Sequence, residues 1–123
     1  PIFYTGRIDH ITALNHYKLF DVNILPSVTD GFGLVLVEAM GLGIPVIGTD
    51  SDGICNVIDH CENGFLFKDG DIKTLAHYIK RILEDEKLCE KFIKNGKTAA
   101  YERFTVKNTV KNYENFFLEL ASI

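Results

Sequence analysis

VNILPSVTDGFGLVLVEAMGLGIPVIGTD, residues 22–50, decides how the rest of the chain is read. It opens on a β-branched and apolar run, 22–26, which Pro26 stops: a strand. Residues 32–42 follow as an apolar helix, ended by Gly41 and Gly43, with Pro45 confirming the stop. The run 45–49 is apolar without alternation, which suits a strand covered on both faces. Strand, helix, strand in this order defines a parallel unit with a helical crossover.

Outward from this core, IFYTG (2–6) predicts a further short strand and turn, and 10–20 has roughly helical spacing in Ile11, Leu14, Tyr17 or Lys18, and Phe20. GICNVID (53–59) predicts a short helix and GFLF (64–67) a fourth strand. From Asp71 onward Ile72, Leu75, Ala76, Ile79, Ile82 and Leu83 follow the i, i+3, i+4, i+7 pattern of an amphipathic helix. Leu88, Phe92, Ala99 and Phe104 predict another. Thr105 is placed to cap a last helix, with Val106, Val110, Tyr113, Phe117 and Leu120 as its apolar stripe. The fold class expected is therefore α/β: a Rossmann-like parallel sheet flanked by helices, with a helical C-terminal segment.

Such sheets bind ligands beyond the carboxyl ends of their strands. The loop after 22–26 lies at such an end, and it holds Asp30, Gly31 and Gly33. A helix starting there presents amides with no intrahelical partner at the positive end of its dipole. Glycines let a ligand approach that backbone, so the arrangement suits an anion, most simply a diphosphate. Glu38 lies four residues after Leu34, on the same helix face and ~6 Å further along the axis. That offset is roughly the distance from a phosphate to its ribose, and a carboxylate accepts from two vicinal hydroxyls. The same residues fit a plainer account. A glutamate on an apolar helix also pairs with a cation from elsewhere, Asp30 also serves as an N-cap, and GFG is not GxGxxG.

Composition narrows the function classes. A net charge of −4 argues against nucleic acid as the main partner, because phosphate backbones want a basic field. No apolar run approaches the ~20 residues of a membrane span, and the start of the chain does not read as a signal peptide. Cys55, Cys61 and Cys89 are odd in number and form no CxxC pair, so neither a disulfide framework nor a zinc site is expected. A cytoplasmic, reducing location fits, with the cytosolic face of a membrane as the second option. The four histidines are scattered and read as surface or core filler.

PSVTDGFGLVLVEAMGLGIPVIGTDSDG (26–53) resembles the nucleotide-sugar signature of the family-4 glycosyltransferases of GT-B fold: a carboxylate, seven residues, then the glutamate that opens E-A-M, small residues and P-V-I. FYTGRI (3–8) resembles the strand and loop that touch the nucleobase. NGFLFKDGD (63–71) resembles the last sheet strand and its turn, and RFTV (103–106) the start of the closing helix.

The resemblance implies that residues 1–123 are part of a C-terminal donor-binding domain that lacks its first strand–helix units. A missing N-terminal domain of the same protein would hold a glycan or lipid acceptor. It implies sugar transfer from a nucleoside-diphosphate sugar with retention, no metal and no cofactor beyond the donor. Glu38 would take the ribose hydroxyls. Gly31, Phe32, Gly33, Leu34 and Val35 would hold the diphosphate and the sugar. Asp30, in place of the family's usual glutamate, would stand beside the transferred sugar as the catalytic carboxylate, and Arg7 and Ile8 would flank the base. DSD (50–52) reads as a turn. The alternative is a non-catalytic nucleotide-sugar-binding module or inactive fragment. A dinucleotide oxidoreductase would need a GxGxxG after its first strand.

Overall fold

The computed structural model describes residues 2–28, 33–104, 118 and 121. Three parallel strands lie side by side: β1 (Asn23–Leu25), β2 (Val46–Thr49) and β3 (Phe65–Phe67), with β2 in the centre. Asn23 stands opposite Val46, and Ile47 opposite Phe65. Helix α1 (His10–Tyr17) precedes β1, and α2 (Leu34–Gly41) crosses from β1 to β2. A short 3-10 helix (Ile54–Asn56) lies between β2 and β3. Helices α3 (Ile72–Glu84) and α4 (Glu86–Arg103) follow β3.

Both faces of the sheet are covered, as the unbroken apolar run of β2 requires. Val46 belongs to one core with Leu36, Met40, Ile54 and Ile58, and with Ala100 of α4. Its neighbour Ile47 points the other way, into a core of Phe65, Phe67, Ile82 and Phe92. The Phe65 ring is stacked on Tyr78 at 4.1 Å and meets Phe92 edge-on at 4.9 Å. This is the Rossmann-like α/β arrangement expected.

Caps explain where the helices begin. Asp9 accepts from the Thr12 amide at 2.7 Å and starts α1. Asp71 does the same for α3 through Thr74, at 3.1 Å. Asp85 ends α3 and starts α4: its amide donates to the Arg81 carbonyl and its carboxylate accepts from Leu88.

Three expectations need correction. Residues 2–6 form no strand. They have no ladder partner among the described residues, and Ile2, Phe3 and Tyr4 stand more than four-fifths exposed. The sheet therefore has three described strands rather than four. On α3 the buried stripe runs through Leu75, Tyr78, Ile79 and Ile82, while Ile72, Ala76 and Leu83 turn outward. Tyr78, drawn in by Phe65, recentres the stripe. The helix expected over 53–59 is reduced to the single 3-10 turn. The expected closing helix from Thr105 falls almost wholly outside the described residues. Among the described residues no helix is long and apolar enough to cross a membrane.

Candidate functional site

Helix α2 begins beyond the carboxyl end of β1. Gly33 stands at its N-cap with φ +73° and ψ +39°, in the left-handed region, and no side chain caps the helix there. A side chain at Gly33 would meet only ordinary contacts, the nearest being Leu36 at 3.5 Å. Glycine is needed for the backbone angle rather than for space. The Gly33 carbonyl accepts from the Leu36 amide at 2.9 Å. The amides of Leu34 and Val35, ahead of it, have no intrahelical acceptor. Both side chains are exposed, 59% and 38%, so the helix opens onto an accessible surface.

One turn on, Glu38 is largely covered, with its side chain 21% exposed. The rest of its helix is apolar: Leu36, Val37, Ala39 and Met40 are buried. The Glu38 carboxylate faces α1, where Oε1 lies 3.8 Å from Nε2 of His10. It also neighbours the buried Tyr17. Burial raises the Tyr17 pKa, and Glu38 raises it further, first as a nearby negative charge and then as a hydrogen-bond acceptor. No lysine or arginine pairs with Glu38 among the described residues; the basic side chain that faces it is His10, an ion-pair partner only when protonated.

Tyr17 also lines a groove of about 420 Å³ with Phe3, Thr5, Ile8, Ala13, His16 and Phe20. Ile8 thereby shares a concavity with the tyrosine that touches Glu38. Arg7 is exposed and forms no ion pair among the described residues. The structure thus brings Leu34, Val35 and Glu38 onto one helix with Gly33 at its N-cap, and places Ile8 in the groove that Tyr17 lines. Asp30, Gly31 and Phe32 lie outside the described residues.

A second cavity, about 330 Å³, is lined by Asp59, Glu62, Asn63, Asn95, Thr98 and Arg103, and holds none of the residues expected at the site. Its groups serve the fold. Arg103 is held by Asp59 at 2.7 Å and donates to the Asn56 carbonyl at 3.0 Å, and Asn95 donates to the Glu62 carbonyl at 2.7 Å. Among the described residues no three His, Cys, Asp or Glu side chains group to hold a metal ion.

Sequence reasoning passed over His10 and Tyr17 at the site. The available signal was Asp9 with Thr12, a helix start that places His10 at the first helical position, two residues past Ile8. The other histidines have other surroundings. His16 bonds the Thr12 carbonyl, His60 Nδ1 accepts from the Leu66 amide at 2.9 Å, and His77 lies against Tyr78.

A three-stranded parallel sheet flanked by helices is the arrangement of a GT-B Rossmann-like fragment. Residues 2–99 match the family described as "Glycosyl transferases group 1", and the chain belongs to it. It is 33% identical over 119 residues to N-acetyl-alpha-D-glucosaminyl L-malate synthase of Bacillus anthracis, covering 97% of this chain and 31% of that protein. The solved sucrose-phosphate synthase of Thermosynechococcus elongatus superposes with a TM-score of 0.84 at 30% identity, over 98% of this chain and 30% of that one. HepE of Anabaena, solved in complex with UDP-glucose, superposes with a TM-score of 0.73 at 29% identity, over 88% of this chain and 29% of its own. The chain spans about three tenths of the length of these relatives.

Proposed function

We propose that this chain is the donor-binding part of the C-terminal domain of a retaining, family-4 glycosyltransferase. The protein containing it would move a sugar from a nucleoside diphosphate to a glycan or lipid acceptor. The observation that carries the reading is Glu38: a largely covered carboxylate on an apolar helix, one turn from an N-terminus with no side-chain cap, and with no lysine or arginine paired to it among the described residues. Covering such a group with its oxygens incompletely hydrogen-bonded is costly. A ribose diol supplies two donors at once.

In this reading the Leu34 and Val35 amides, with those of Phe32 and Gly33, take the diphosphate and the sugar hydroxyls. Gly31 lets the donor approach the backbone. Asp30 stands by the transferred sugar, where a carboxylate balances positive charge developing at the anomeric carbon. Arg7 and Ile8 flank the base at the mouth of the groove. The reading includes no metal ion and no cofactor beyond the donor. The UDP-glucose complex of HepE supports a nucleotide-sugar partner. Binding of the donor belongs to this chain. Transfer belongs to the whole protein, because acceptor and donor must be held together in reacting geometry.

Calorimetry of the chain with UDP-glucose and with GDP-mannose, beside a product assay, tests this. One donor should bind weakly and no product should form. Glu38→Gln keeps an acceptor oxygen but loses the charge. Charge-assisted bonds contribute roughly 1.5–3 kcal/mol. Glu38 keeps some contact with water, so the lower end applies and affinity should fall about tenfold. Equal affinity in the two proteins would remove Glu38 from the donor site.

A further inference from the structure

The distance between His10 Nε2 and Glu38 Oε1 is 3.8 Å. It exceeds the ~2.7–3.2 Å of an N–H···O bond, so the two atoms face each other without bonding directly. A hydroxyl oxygen ~2.7 Å from the carboxylate and ~2.8 Å from the imidazole spans such a gap, with an angle of roughly 90° between the two bonds. A hydroxyl has one donor and two acceptor lone pairs, and so can give to the first and take from the second.

We propose that His10 is a second ligand for the donor's ribose: one ribose hydroxyl sits between His10 and Glu38, donating to Oε1 and accepting from Nε2–H. This rests on the assignment of Glu38 to the ribose. Position supports it further. His10 is the first residue of α1, fixed there by the Asp9 cap, and follows Ile8 by two residues. A donor whose base lies along Arg7 and Ile8 and whose ribose reaches Glu38 passes His10 on the way. The His10 side chain is 66% exposed, so a ligand can reach the imidazole. Glu38 has lone pairs enough for Tyr17 and a diol together.

The test uses the 123-residue chain and dissociation constants from ligand-observed NMR. The probes are UDP, GDP and ADP, each also as its 2′-deoxy and 3′-deoxy form. They are measured against the unaltered chain, His10→Ala, His10→Gln and Glu38→Gln. A neutral, solvent-accessible hydrogen bond contributes roughly threefold in affinity. His10→Ala should weaken the bound ribonucleotide about threefold and leave one deoxy form unaffected, since that form lacks the bridging hydroxyl. His10→Gln, which keeps an N–H donor, should recover part of the loss.

If His10→Ala changes no constant while Glu38→Gln weakens the ribonucleotides, His10 is not a ligand and the Glu38 assignment stands. If His10→Ala weakens the ribo and both deoxy forms equally, the histidine acts on the fold or on the phosphates, and the bridge is wrong. If Glu38→Gln has no effect, or no nucleotide binds, the ribose assignment itself fails and the bridge with it.

Discussion

Ile54 packs so closely over Gly48 that a Cβ there would stand 2.5 Å from its Cγ2 and 3.0 Å from Cδ1 of Ile58. Gly48 is in the central strand, and the 3-10 turn after β2 folds back onto it. That turn also lies beneath Gly33, since a Cβ on Gly33 would meet Ile54 at 3.7 Å and Val57 at 3.8 Å. The centre of the sheet and the start of α2 are thus packed against the same few side chains.

Two glycine replacements should separate sterics from backbone. Gly48→Ala must displace Ile54 and Ile58, and overpacking of this kind costs about 1–3 kcal/mol. Gly33→Ala meets no clash but holds alanine in the left-handed region at φ +73°, for roughly 1–2 kcal/mol. Urea unfolding of the two variants should show both losses. Only Gly33→Ala should also disturb nucleotide binding beyond its effect on stability. A Gly33→Ala chain as stable as the parent would show that the left-handed cap is not what the sequence requires there.

Acid should loosen the helix starts. The Asp71 pKa is lowered first by the hydrogen bond from the Thr74 side chain and then by the Thr74 amide, and Asp9 is lowered likewise by Thr12. A lowered folded-state pKa means the unfolded chain binds more protons, so stability rises with pH. The contribution is fully present above the unfolded aspartate pKa of ~3.9. It is lost as pH falls through the lowered folded values. The double variant Asp9→Asn, Asp71→Asn keeps cap-competent side chains without titration. Its unfolding midpoint should fall less steeply than the parent's below about pH 4. Identical slopes would detach the caps from the acid response.

The thiols should react in a set order. Cys55 and Cys61 are exposed, whereas Cys89 is partly covered. Burial pushes the Cys89 thiol up, with Asp21, Glu90 and Glu86 adding to the shift. The thiolate is the nucleophile, so Cys89 should be the slowest of the three to alkylate. Mass-spectrometric mapping after brief iodoacetamide treatment at neutral pH reads this directly, and early modification of Cys89 would contradict the packing of α4.

Much of the fold was legible because its signals are local. The apolar run of β2, Pro26, Pro45 and Asp71 mark their elements to within a residue or two. The misreadings involve partners distant in sequence. Residues 2–6 have strand composition but no neighbouring strand among the described residues, and Tyr78 enters the core where Phe65 lies across from it. On α2, Val35 entered only through the resemblance, whereas the shared face of Leu34 and Glu38 was legible because helix geometry fixes their spacing. His10 and Tyr17 were not, because they reach Glu38 from another helix. No periodicity records a contact between residues 10 and 38.

A nucleotide sugar bound to this chain should dock at the start of α2 and along Glu38. Titrating the ¹⁵N-labelled chain with UDP-glucose and with GDP-mannose, following backbone amide shifts, tests it most directly. One of the two should move the amides of Gly33, Leu34, Val35 and Glu38, together with those of Ile8 and His10. Shifts confined to the cavity of Asp59, Asn95 and Arg103, or no shift between Gly33 and Glu38 with either donor, would contradict it.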